Sequence, residues 1–178
     1  MDYPTEEPPY QISTNFSISS IGLLLGGIIQ GQKIWYNARI SRITSDLQDY
    51  TRVFLLYYDR YGMYPGDEDD PNFPPGDSFN GNHNSLIDSN EAVNVWEDLY
   101  NSLGIVRKSS PVRGGSYEFG YRNFNGVNRN YIAVTNIPNN QAQAIDRRYD
   151  DGAANTGNIQ ASAAYDGSET LITLYWRI

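Results

Sequence analysis

The stretch Tyr36–Tyr61, YNARISRITSDLQDYTRVFLLYYDRY, decides the fold. Within it Tyr36, Ile40, Ile43, Leu47, Tyr50, Phe54, Tyr57 and Tyr61 recur at alternating steps of four and three. Those steps place side chains on one face of an α-helix. Upstream, Ile21-Gly22-Leu23-Leu24-Leu25-Gly26-Gly27-Ile28-Ile29 runs into the stripe with no proline between, and Gly62 followed by Pro65-Gly66-Asp67 closes it. The pattern predicts one long helix, apolar at its start and one-faced towards its end. At 1.5 Å per residue a helix of about 40 residues is roughly 60 Å long. A domain of this size needs less, so part of the helix is expected to be covered by something other than this chain's own core.

The chain has 178 residues, a length that suits one domain with a real core. Its formal net charge is −8, which argues against a nucleic-acid partner, since phosphates demand a basic face. Without cysteine there are neither disulfides nor thiolate metal sites. Residues 1–11 are polar, acidic and proline-bearing, unlike the basic start of a secretory signal. No charge falls between Glu7 and Lys33, yet only Ile21–Ile29 is densely apolar, short of the roughly 20 residues of a membrane span. One reading makes this segment a buried helix start. The other has it pack against copies of itself through Ile21, Leu23, Leu24, Leu25, Ile28 and Ile29, with Gly22, Gly26 and Gly27 allowing close backbone approach.

Opposite the stripe lie Arg39, Arg42, Asp46, Asp49, Arg52 and Arg60. These either solvate the helix or bridge subunits, with Arg42 and Asp46 spaced to pair. Residues 64–81, rich in proline, glycine and acids, form a loop. A second helix is expected over 89–103, capped by Ser89, with Val93, Trp96, Tyr100 and Leu103 sharing a face and Gly104 at its end. Strands are expected over 117–122 and 131–135, separated by an Asn/Gly-rich turn, and over 171–178, with a short helix over 141–149. A long helix with a small antiparallel sheet is an α+β layout.

Asn80 to Glu91 invites comparison with a twelve-residue calcium loop. Oxygen side chains stand at its positions 1, 3, 5 and 9 (Asn80, Asn82, Asn84, Asp88), a backbone carbonyl at 7 (Leu86) and Glu91 at 12. Position 6 is Ser85 rather than glycine, and only two ligands carry charge. Weak Ca²⁺ binding is the expectation if the loop holds a metal; the alternative is an Asn-rich turn whose amides cap local backbone. Asp67, Asp69 and Asp70 are further candidate ligands. His83, the only histidine, stands at a non-coordinating position, and no serine-and-acid arrangement or phosphate-cradling loop accompanies it. The chain is read as a non-enzyme. A carboxylate-pair hydrolase would need two acids facing each other across a cleft.

Several segments carry a resemblance in order along the chain. They are Ile21–Gly27 with Gly31-Gln32 and Asn37-Ala38-Arg39-Ile40, and Tyr61-Gly62-Met63-Tyr64-Pro65-Gly66-Asp67. After these come Glu91-Ala92 through Trp96 to Leu103-Gly104-Ile105, and Ala144-Ile145-Asp146-Arg147-Arg148-Tyr149-Asp150-Asp151-Gly152 with Thr156-Gly157. Together they resemble type IV pilins and type II secretion pseudopilins. The resemblance, which begins near Ile21, implies a lollipop fold, with a long helix over 16–62 and a globular pilin-like head over 63–178; the polar extension over 1–15 has no counterpart in the family. It also implies a structural subunit that assembles with copies of itself into a helical filament at the cell surface. The assembly machinery of a pilus or secretion system, and the inner membrane before assembly, would be its other partners. The alternative is a minor pilin-like surface binding module, or a secretion component that forms no filament alone. The family's processing glycine and the glutamate five residues beyond it have no counterpart before Glu68.

Overall fold

A computed structural model describes residues 15–70, 74–76 and 79–178, with side chains from 22 onward; of the expected 1–15 extension only Asn15 is among them, and it opens the first helix. In chain order the elements are α1 (Asn15–Tyr61), α2 (Val95–Leu103), β1 (Tyr117–Phe124), β2 (Val127–Pro138), α3 (Asn139–Tyr149), β3 (Ile159–Ala161) and β4 (Leu171–Arg177). The strands form one antiparallel sheet in the order β1-β2-β4-β3. The fold is α+β: a long N-terminal helix and a small antiparallel sheet. It divides into two compact units, Met1–Ala38 and Arg39–Ile178. The division falls inside α1.

The second unit is built on the stripe. Ile40, Ile43, Leu47, Tyr50, Phe54 and Tyr57 are buried, while Tyr36 and Tyr61 at the ends of the pattern are half-buried. Phe54 stacks on Phe119 of β1 with centroids 5.4 Å apart and on Tyr64 at 5.0 Å. Tyr50 meets Trp96 of α2 edge-on at 5.0 Å and Tyr117 of β1 at 5.3 Å. From the sheet and α3, Ile132, Val134, Ile137, Ile145 and Leu174 complete the core. Each fully buried aliphatic or aromatic side chain contributes about 1.5–3 kcal/mol, so the stripe accounts for much of this unit's stability.

The β1–β2 turn is narrower than sequence suggests. Asn125 and Gly126 both have positive φ, and Phe124 pairs with Val127. That is a two-residue hairpin of the type that follows strand twist. The second helix also differs. Residues 89–94 are turn, Ser89 does not cap the helix, and its inner face is Val95, Asp98 and Leu99. Val93 and Tyr100, expected to share a face with Trp96 and Leu103, are exposed. Asp98 explains the error, because a buried acid on the inner face disguises the phase of the helix. The C-terminus is as read: Gly104 takes a left-handed φ of 68°, and its N–H closes on Leu99 and Tyr100 carbonyls.

Candidate functional site

Between Gly22 and Ala38, α1 presents apolar side chains to solvent. Leu23, Leu24, Leu25, Ile28, Ile29, Ile34 and Trp35 are 55–79% exposed. The side chain of Ile21 lies outside those described. A Cβ added at Gly22, Gly26 or Gly27 would meet nothing within 4 Å, so these glycines leave the backbone open to close approach. Gln30, Gln32, Lys33 and Asn37 are the polar residues of the stretch. Among the described residues no helix is long and apolar enough to cross a membrane.

The loop Asn80–Glu91 is closed by hydrogen bonds. Glu91 Oε1 accepts the N–H of Asn82 at 3.0 Å and Oε2 that of Asp88 at 3.0 Å. Asn82 Oδ1 accepts from Asn84 N–H at 3.1 Å, and Asn84 Oδ1 from Leu86 N–H at 2.8 Å. Asp88 Oδ1 accepts the N–H of Asn90, and its Oδ2 the amide of Asn82. Asn80 has an exposed side chain, and Leu86 contributes its N–H. The side-chain oxygens of Asn82, Asn84 and Glu91 therefore face backbone donors, and those of Asp88 face a backbone N–H and the Asn82 amide. Asp67, a further candidate ligand from the preceding loop, is buried beside them and accepts the N–H groups of Asn84 at 2.9 Å and Ser85 at 2.7 Å. Burial raises the carboxyls of both Asp67 and Glu91 above their ordinary range, against the lowering effect of those N–H bonds. The strain of the loop sits at His83 and Ser85, both with positive φ. Ser85 occupies the position where a calcium loop carries glycine. Asn130 of β2 pins the loop from below, accepting Ile87 N–H at 2.9 Å and donating to the Ser85 carbonyl at 3.0 Å.

Sequence missed how one acid of the outer face is used. Asp46 is buried and accepts Lys108 Nζ at 2.8 Å and the Tyr117 hydroxyl at 2.8 Å, while Arg42 Nε stands 3.9 Å away. It ties α1 to the α2–β1 loop and to β1 instead of solvating the helix. Burial lowers the Lys108 ammonium's pKa, but hydrogen bonds and charges from Asp46 and Asp49 outweigh it and leave the net shift upward. Burial raises the Tyr117 phenol, and the bond to Asp46 adds to this. A buried acid gives no hydropathy signal; the aromatic positions four and eight residues on, Tyr50 and Phe54, were the available hint. Elsewhere, His83 Nδ1 lies 3.3 Å from Asp69 Oδ1 with both side chains exposed.

No protein-family model matches this chain, and no curated protein or solved structure matches it either.

Proposed function

We propose that this chain is the structural subunit of a pilus-like filament, assembling with copies of itself through the first part of α1. The observation that carries the reading is the run of exposed aliphatic residues from Leu23 to Ile34, on a helix whose single charge between Asn15 and Ala38 is Lys33. Such a surface costs free energy in water and is stabilised by burial against like surfaces. A head-to-tail contact repeated by a screw operation gives an open fibre. The stripe-and-sheet unit of 39–178 would then decorate it. A place at the cell surface or outside the cell follows from the same proposal.

Negative-stain electron microscopy of the purified full-length chain tests it. Uniform thin fibres are expected, lost in the double variant Leu24→Asp, Ile28→Asp, whose second unit still unfolds cooperatively. Dispersed particles from the unaltered chain would contradict assembly and favour a surface-binding module.

A further inference from the structure

Strand β1 lies at the edge of the sheet, so half of its backbone faces no neighbouring strand. The hairpin fixes which half. Phe124 and Val127 flank its two-residue turn and exchange hydrogen bonds. Counting back in twos, Arg122, Gly120 and Glu118 turn their N–H and C=O groups towards β2, while Asn123, Tyr121, Phe119 and Tyr117 turn theirs outward. The surrounding bonds agree. Ser116 C=O accepts Thr135 N–H at 2.9 Å inside the hairpin, and Asn130 C=O, on the far side of β2, accepts Ile178 N–H at 2.9 Å. Tyr117 C=O accepts Arg107 Nη2 from outside the sheet.

Past Tyr117 the edge is open. Among the described residues, no hydrogen bond reaches the outward N–H or C=O of Phe119 or Tyr121. Phe119 is only 3% exposed, so water does little for its outward groups, and buried backbone groups are almost always paired. Beside them runs a groove of about 520 Å³, formed by Ile87, Asp88 and Ala92 of the loop before α2 and by Phe119, Tyr121 and Tyr131 of the sheet. Gly120 lets Tyr131 reach it, since a Cβ at Gly120 would stand 2.7 Å from the Tyr131 hydroxyl. Asp88 is the only charged residue that lines the groove, and among the described residues it forms no ion pair.

We propose that this groove takes an extended, basic peptide segment of another protein as an added strand on β1. An apolar residue of the segment packs against Ile87, Ala92 and Phe119, and a lysine or arginine lies beside Asp88. Strand addition pairs the outward groups of Phe119 and Tyr121, main-chain bonds giving the affinity and the lining side chains the selectivity. At about 3.3 Å per residue, a segment alongside Phe119 to Asn123 needs about five residues. Another copy of this chain cannot add its own β1, because the same loop of residues 87–92 walls that edge in every copy. A lone strand is what the groove admits. Acidic segments are repelled by Asp88 and by the chain's net charge of −8. Binding at this edge does not depend on how α1 is covered.

The test is amide hydrogen exchange of the full chain with a capped six-residue peptide of alternating valine and lysine. At saturating peptide the Phe119 and Tyr121 amides are expected to exchange about tenfold more slowly, and the Gly120 amide, already bonded to β2, to change less. The glutamate counterpart of the peptide binds about tenfold more weakly, and Asp88→Asn narrows that gap. Methylating the peptide's backbone nitrogens abolishes the protection. Tyr121→Pro removes one outward N–H, leaves the bonds to β2 and abolishes binding; should that variant not fold, Asp88→Asn and the methylated peptide still decide. No protection by the lysine peptide overturns strand addition, as does equal protection by the methylated one. Protection of Phe119 and Tyr121 that grows with the chain's own concentration, without peptide, would assign the edge to a second copy and overturn it too.

Discussion

From Gly22 to Ala38, α1 carries Leu23, Leu24, Leu25, Ile28, Ile29 and Ile34, each more than half exposed; from Arg39 to Tyr61 it carries Ile40, Ile43, Leu47, Tyr50, Phe54 and Tyr57, each buried. The two parts are comparably apolar, and the pattern separates them. In the second part most of the apolar residues make one stripe, with Leu55, Leu56 and Tyr58 exposed beside it, and a stripe needs one covering surface, which the sheet supplies. In the first part they occupy consecutive positions and so point to several sides of the helix. A helix that is apolar on several sides calls for neighbours on several sides. The chain's own sheet can cover a stripe, but a surface of the second kind is satisfied by a bundle of like helices.

The comparison breaks most sharply on substitution. Phe54→Ala, in the buried stripe, should destabilise the second unit by about 3–5 kcal/mol, because it removes the ring stacked on Phe119 and Tyr64. Denaturant unfolding followed by tryptophan fluorescence measures it. A loss below about 1 kcal/mol would mean that the stripe is not the core.

Alkaline pH sharpens the same point. Burial holds the Tyr50, Tyr57 and Tyr117 phenols above their ordinary range. The folded state therefore keeps protons that the unfolded chain releases near pH 10. More protons bound in the folded state means that stability falls as pH rises past that point. Lys108, also raised, contributes stability below its unfolded value that is lost as pH climbs through the folded one. Tyrosinate absorbance should rise in two stages, exposed phenols first and buried ones only with unfolding. One smooth stage without unfolding would contradict the buried assignment.

Smaller effects follow at the polar ties. Asp46→Ala strands Lys108 and the Tyr117 hydroxyl and should cost about 1–3 kcal/mol, read as a lower denaturation midpoint. Glu91→Gln turns an amide towards the N–H of Asn82 or Asp88 and should cost about 1–2 kcal/mol. That cost should be equal with and without calcium; a cost seen only with calcium would show the loop to be a metal loop. Smallest of all, Leu24→Ala should change the unfolding of the dispersed chain by no more than about 0.5 kcal/mol.

Much of this was legible in the sequence, and what was not has a common cause. Burial of the stripe from Ile40 to Tyr57, the stop at Gly62 and the cap at Gly104 follow from side-chain period and glycine stereochemistry, which are local. Strand β3 is three buried residues with no alternation, so it had no period to show. Asp46, Asp67, Asp98 and Asp146 are buried acids, and an acid read in isolation is taken to be solvated. In the loop Asn80–Glu91 the oxygen spacing is real. Spacing alone does not tell whether an oxygen faces a cation or a backbone N–H, since both are electropositive.

The most direct measurement uses the chain's lack of cysteine. A single Ile28→Cys variant, treated with a short bis-maleimide under assembly conditions, should cross-link between copies, beside an equivalent Val93→Cys control on the exposed surface of the second unit. The account predicts covalent multimers from Ile28→Cys and monomers from Val93→Cys. Monomers from both would contradict the claim that the first part of α1 is covered by its own copies.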